Sequence, residues 1–151
     1  MNTQAHKRIF HSSQISSKFD EIFWKIEQRG IKITVIISTW NNEGTIGRTI
    51  ILLQAEKRRH SFLKEIIVVD NDSTDNTREI ATSFGAVVHR SSEILPELNK
   101  KPGKGVRQWK ALSKAQGDII VFIDGGSKIQ PNMVYALVAP LILEERTGTY
   151  P

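Results

Sequence analysis

Apolar residues along this chain alternate between two spacings. Phe19, Ile22, Phe23 and Ile26 recur every three or four positions, with Trp24 and Lys25 extending the turn, which predicts an amphipathic helix. Ser17 is placed to cap its start, Asp20 stands in the capping-box position, and Gly30 can stop it. Ile33 to Ser38 is a short, β-branched apolar run, as a strand buried on both faces should be. Ile46, Ile50 and Leu53 return to helical spacing, and Glu65 to Asp70 predicts a second buried strand. Thr74 to Phe84 predicts a helix, capped by Ser73 or Asp72 and stopped by Gly85. Ala86 to His89 predicts a third strand; Val106, Trp109 and Leu112 mark a helix, and Asp118 to Asp124 a fourth strand. Met133, Leu137, Val138 and Leu141 predict a last helix, bent or ended near Pro140.

Strand and helix in alternation predict an α/β fold: a mostly parallel, Rossmann-like sheet, right-handed crossovers, helices on both faces, and one helix ahead of the first strand. Residues 1–30 then form a polar lead-in and helix, and residues 31–151 the α/β body. Residues 90–105 are the one long connection, rich in Pro, Gly and Lys, and loops of that length are usually functional or mobile.

Composition narrows the class. With 151 residues, 39% hydrophobic and 25% charged, the chain is an ordinary globular domain. It has no cysteine, which excludes disulfides, thiolate metal sites and cysteine nucleophiles. No apolar run reaches the roughly 20 residues of a membrane span, and the first residues lack the apolar stretch of a signal peptide, so a cytoplasmic location is expected. The net charge of +5 suits anionic partners. Nucleic acid is not expected among them, because no recognition motif is present and the aromatic residues are assigned to the core.

Ligands of an open parallel sheet bind beyond the carboxyl ends of its strands. Three polar clusters fall there: Ser38 to Glu43, Asp70 to Asp75, and Asp124 to Ser127. None has the glycine pattern of a dinucleotide fold or of a P-loop. Asp70 beside Asn71 suits the reading of a base, a carboxylate accepting from an N–H edge and an amide offering both functions. The other reading makes Asp70 and Asp72 helix caps. Trp40 is placed either to stack on a base or to fill core. Lys104, between Gly103 and Gly105 at a helix start, suits a phosphate, whereas Lys100, Lys101 and Lys110 read as solvated. Asp124 ends an apolar strand, as a hard-metal ligand or a cap for the next turn. The run Lys57 to His60 reads as solvated surface at a helix C-terminus, and the four histidines show no metal spacing.

Taken together, STWNNEGTI over 38–46, VVDNDSTDNT over 68–77 and GDIIVFID over 117–124 resemble the nucleotide-sugar half of a GT-A glycosyltransferase of family 2. LPEL over 95–98, KPGKGVRQW over 101–109, VAPL over 138–141 and RIFHSSQ over 8–14 are similar to the glucosyl-3-phosphoglycerate synthases, retaining enzymes of that kind. The resemblance covers nearly the whole chain, and the Pro-Gly-Lys-Gly segment followed by Trp109 is its most specific part. It implies transfer of glucose from a nucleotide diphosphate sugar, usually UDP-glucose, to 3-phosphoglycerate, with Mg2+ or Mn2+ bridging the diphosphate. By position, Ser38, Thr39 and Glu43 would line the nucleoside pocket, Asp70 and Asn71 would read the uracil, Lys104 would hold the diphosphate, and Asp124 would open the Asp-x-Asp metal motif.

Two departures from the pattern follow. The third position of that motif is Gly126, which removes a carboxylate from the metal site. The chain also ends about where the family's acceptor-binding half begins, so the resemblance implies a truncated sheet whose exposed apolar surface calls for a second copy or a partner. Two readings result: a glucosyltransferase or its donor-binding portion, and a catalytically inactive nucleotide-binding or partner-binding module.

Overall fold

The computed structural model describes residues 19–98 and 104–143, and within the latter the side chains of 104, 105 and 107 are not described. The expectations for the lead-in, for Ser17 as a cap and for residues 99–103 lie outside the described residues. Four strands form one parallel sheet in the order β3-β2-β1-β4, with β1 at Ile33–Thr39, β2 at Leu63–Asp70, β3 at Val87–Arg90 and β4 at Ile119–Asp124. Helices α1 (Phe19–Gln28), α2 (Glu43–Arg59), α3 (Thr77–Ser83), α4 (Lys104–Leu112) and α5 (Met133–Leu143) flank it, and a 3-10 turn covers Pro96–Leu98.

The two-residue period of a strand divides β1 between two cores. Ile33, Val35 and Ile37 face a large layer built with Ile22 and Ile26 of α1, Ile46, Ile50 and Leu53 of α2, and Val134, Tyr135 and Val138 of α5. Ile36 faces a smaller layer with Ile67, Val69, Ile94 and Ala111. Helix α1 therefore shares the main core of the sheet. Gly30, at φ +62°, ends it as the sequence predicts.

Four expectations change. Helix α3 begins at Thr77, and neither Asp72 nor Ser73 caps it. Asp72 adopts φ +58° and accepts from the Ser92 hydroxyl at 2.8 Å, while the Asp75 carboxylate meets the Thr77 N–H at 3.0 Å. Helix α5 runs through Pro140 to Leu143, because buried Val138, Ala139 and Ile142 hold it on both sides of the proline; Leu137 and Leu141 lie on its exposed face. Lys110 is buried, 3% exposed, and donates to the Ser91 carbonyl at 3.1 Å; a long aliphatic stem lets the residue be buried while its ammonium meets a carbonyl. His60 leaves the basic run and packs on Phe23, ring centroids 4.2 Å apart, in a cluster with Phe62 and Tyr135. Burial, with Glu56 nearby, pushes the Tyr135 phenol well above its ordinary range.

Candidate functional site

The chain steps from β1 outward to β2 and β3, then returns to the other side of β1 for β4. That reversal opens a crevice beyond the carboxyl ends of β1 and β4, where open parallel sheets take their ligands. Ser38 and Asp124 are register partners across it, and the Gly125 N–H closes the ladder onto the Ser38 carbonyl at 2.8 Å.

Gly125 is required by the close approach of β1. A Cβ there would lie 2.7 Å from Thr39 Cβ and 2.9 Å from Asn42 Oδ1, and closer still to the Thr39 hydroxyl. Thr45 of α2 fixes the same turn, donating to the Gly125 carbonyl at 3.0 Å. Gly126 has room: among the described residues a Cβ would meet only Asn42 Nδ2, at 3.4 Å. Asp124 itself is exposed.

The loops after β1 and β2 are tied together by side chains that meet backbone N–H groups. Asn41 N–H donates to Ser73 Oγ at 2.9 Å, Asn42 N–H to Thr77 Oγ1 at 2.8 Å, and Glu43 N–H to Asp75 Oδ2 at 3.1 Å. In return, Thr74 N–H donates to Asn41 Oδ1 at 2.8 Å, and Asn76 donates to Glu43 Oε2 from both its backbone and its amide at 3.0 Å. Asn41 sits at φ +49°, a conformation that asparagine tolerates better than most residues. Partial burial pushes the Asp75 carboxyl up, but bonds from the Thr77 hydroxyl and from the Glu43 and Thr77 N–H groups outweigh it and hold it below its ordinary range.

The predicted site residues divide within this frame. Ser38, Thr39 and Asn71 come together: Asn71 donates from Nδ2 to Ser38 Oγ at 3.2 Å and to the Thr39 carbonyl at 2.9 Å. Because Nδ2 must face that carbonyl, Oδ1 is the other end of the amide, and it is buried with no donor among the described residues. Asp70 is wholly shielded from solvent. Ser73 donates to it from both its hydroxyl and its N–H, and Arg78 Nε lies 3.5 Å away. This carboxylate shapes the β2 loop from within. Glu43 is exposed but occupied by Asn76. Trp40 is 63% exposed, which removes the core reading. Trp24 and Trp109 are also exposed, so the assignment of the aromatic residues to the core fails for all three tryptophans. Lys104 is the first residue of α4.

Several contributors escape a reading of the sequence by strand ends. Arg78 is the second residue of α3, and its role is set by the buried charge of Asp70. The clasp residues Asn41, Asn42, Asp75 and Thr77 carry a local signal, short polar side chains before a helix, but their partners lie more than thirty positions away.

Among the described residues, no group of three or more His, Asp or Glu side chains is placed to hold a metal ion. The β4 turn offers one carboxylate, Asp124, and at Gly126 a position with no side-chain ligand. This fits a cation held mainly by oxygens other than protein carboxylates, such as those of a diphosphate and of water.

A parallel sheet that reverses at β1, with a carboxylate and a glycine pair ending β4 across the crevice, is the doubly wound arrangement of a nucleotide-binding fold, and it is of the GT-A type, as are the solved structures on which it superposes. The family model for glycosyl transferase family 2 matches residues 34–151, and the chain belongs to that family. It is 40% identical over 138 residues to the glucosyl-3-phosphoglycerate synthase of Petrotoga mobilis, an alignment that covers 90% of this chain and 42% of the relative. The crystal structure of mannosyl-3-phosphoglycerate synthase from Rubrobacter xylanophilus superposes with a TM-score of 0.76 at 28% identity, over 85% of this chain and 41% of that one. Glucosyl-3-phosphoglycerate synthase from Mycobacterium tuberculosis, crystallised with Mn2+, UDP and phosphoglyceric acid, superposes with a TM-score of 0.68 at 30% identity, over 93% and 46% of the two chains. The chain thus spans less than half the length of these relatives. Among the described residues no helix is long and apolar enough to cross a membrane.

Proposed function

We propose that residues 31–151 are the donor-binding part of a cytoplasmic glucosyltransferase that uses UDP-glucose, with α1 bracing the sheet from behind. The observation that carries this reading is the buried, donorless Oδ1 of Asn71 beside Ser38 and Thr39. A buried acceptor without a donor is costly, on the order of 1–3 kcal/mol, and the imide N–H of a uracil would satisfy it. Trp40, exposed next to Thr39, offers a face on which that base can stack. Asp70 acts indirectly, by fixing the loop that carries Asn71. Glu43 likewise supports the pocket through its hold on Asn76. Lys104 and the first N–H groups of α4 would hold the diphosphate. Asp124 would be the protein's ligand to Mg2+ or Mn2+; when bound, such a cation neutralises the charge that develops on the departing UDP. The acceptor is 3-phosphoglycerate, and the Mycobacterium tuberculosis relative, which binds phosphoglyceric acid, supports this. We assign acceptor binding to the part of the relatives' length that this chain does not span.

Gly126 favours a second reading, in which the domain binds nucleotide without turning over. Calorimetric titration of UDP-glucose, with and without Mg2+ or Mn2+, into the wild type and Lys104→Ala tests both. Binding that needs cation and Lys104 supports the donor site. Its absence under every condition rejects both. Transfer of glucose to 3-phosphoglycerate, by the chain alone or mixed with a separately expressed acceptor half, separates the first reading from the second.

A further inference from the structure

Beside the Gly125 turn lies a cavity that the donor-site reading does not use. Its volume is about 190 Å3, and its walls are one stripe of α2 and the extended segment that follows β4. Thr45, Arg48 and Leu52 fall at helical spacing along one side; Ser127, Lys128 and Ile129 form the other. Leu52 is half-buried and Ile129 buried, so the floor is apolar. Arg48 and Lys128 are exposed at the rim, and neither forms an ion pair with a described residue. Glu43, the acid nearest to Arg48 along the chain, is held by Asn76 at 3.0 Å. Two cations with no counter-charge among the described residues, in a cavity also lined by the hydroxyls of Thr45, Thr49 and Ser127 and by an apolar floor, are complementary to an anionic head on a small carbon body. The volume equals that of about six waters at ~30 Å3 each, room for a phosphate group and a few carbons.

We propose that this cavity binds a phosphate group, carried by a small phosphorylated metabolite, with Arg48 and Lys128 as its counter-charges. The proposal does not depend on the donor site. It does place the phosphate next to Thr45, which anchors the Gly125 carbonyl, so occupancy bears on the turn that carries Asp124.

The test is titration of the isotopically labelled full chain, followed by amide chemical shifts, with inorganic phosphate in one series and glycerol 3-phosphate in another. Saturable shifts at 127–129 and along the first turns of α2 are expected. They should weaken at least tenfold in Arg48→Gln/Lys128→Gln, persist in Arg48→Lys/Lys128→Arg, and be indifferent to Lys57→Gln/Arg58→Gln. Asp124→Asn should leave them unchanged, which separates this site from the nucleotide crevice. Tighter binding of glycerol 3-phosphate than of phosphate would support a metabolite that uses the apolar floor; equal affinities would overturn the metabolite and leave free phosphate as the ligand. Shifts that do not saturate, or that fall equally with the Lys57/Arg58 pair, would overturn the site.

Discussion

Arg78 Nε lies 3.5 Å from Asp70, a carboxylate with no exposure to solvent at the end of the central strand pair. Arg78 is itself partly exposed, so the pair sits at the boundary between core and crevice. Removing the cation leaves a buried charge with only Ser73 to support it. Arg78→Ala should cost on the order of 3 kcal/mol in urea denaturation, the scale for breaking a buried pair. Asp70→Asn/Arg78→Met should recover most of that loss while still weakening nucleotide binding through the β2 loop. A loss below about 0.5 kcal/mol for Arg78→Ala would show that Ser73 alone holds the carboxylate.

Gly126 has room for a side chain, with Asn42 Nδ2 as the only neighbour of a Cβ among the described residues, at 3.4 Å. Gly126→Asp should restore the second carboxylate and tighten Mn2+ binding in the presence of UDP by about tenfold, or about 1.4 kcal/mol. Stability should change by less than about 0.5 kcal/mol. Unchanged cation affinity would mean that the β4 turn does not hold the metal.

The neighbouring glycine should behave in the opposite way. A methyl group at Gly125 would overlap Thr39 and Asn42, both fixed in the β1 turn. Gly125→Ala should cost about 1–3 kcal/mol of stability by overpacking. Thermal denaturation of the two variants side by side would expose any error in this contrast.

Trp40 is exposed, so Trp40→Ala should leave stability within about 0.5 kcal/mol of wild type. If the indole stacks on uracil, UDP should bind about 1–3 kcal/mol less tightly. Full affinity in the variant would remove Trp40 from the site.

Asp75 gives a pH dependence of definite sign. Its carboxyl is held below its ordinary value of 3.8 by Thr77 and by the Glu43 N–H. A depressed carboxyl contributes stability at pH above its unfolded value and loses it as pH falls through the folded one. Denaturation midpoints of wild type should therefore fall below pH 3.8 more steeply than those of Asp75→Asn. Parallel curves would show that the clasp does not depend on ionised Asp75.

Much of the fold can be read from the chain because β-branched runs at 33–38, 65–70 and 118–124 have no other stable use than buried strands. The clusters at their ends were legible for the same reason, since a parallel sheet brings those ends to one edge. What the side chains do there was less legible. Asp70 reads as a base acceptor in sequence, yet Ser73 and Arg78 enclose it, and Arg78 is recognisable only after the loop has folded. Asp72 reads as a cap by residue type, but the two-loop clasp draws 71–76 out of the helix and hands the first turn to Asp75. Lys110 reads as solvated because its charge is visible in sequence and the carbonyl that receives it, nineteen positions away, is not.

The strand order also has a consequence for how the molecule assembles. Ile33 pairs with Leu63 on one side and with Ile119 on the other, so the two ladders of β1 close loops of very different length. Longer closure costs more chain entropy and, in general, slows folding. The β3-β2-β1 half should form first and β4 should dock last, bringing Asp124 opposite Ser38 in the final step. The crevice would then be absent from every earlier intermediate, and UDP would slow unfolding without speeding folding. Stopped-flow refolding that accelerates with UDP would show instead that β4 docks early.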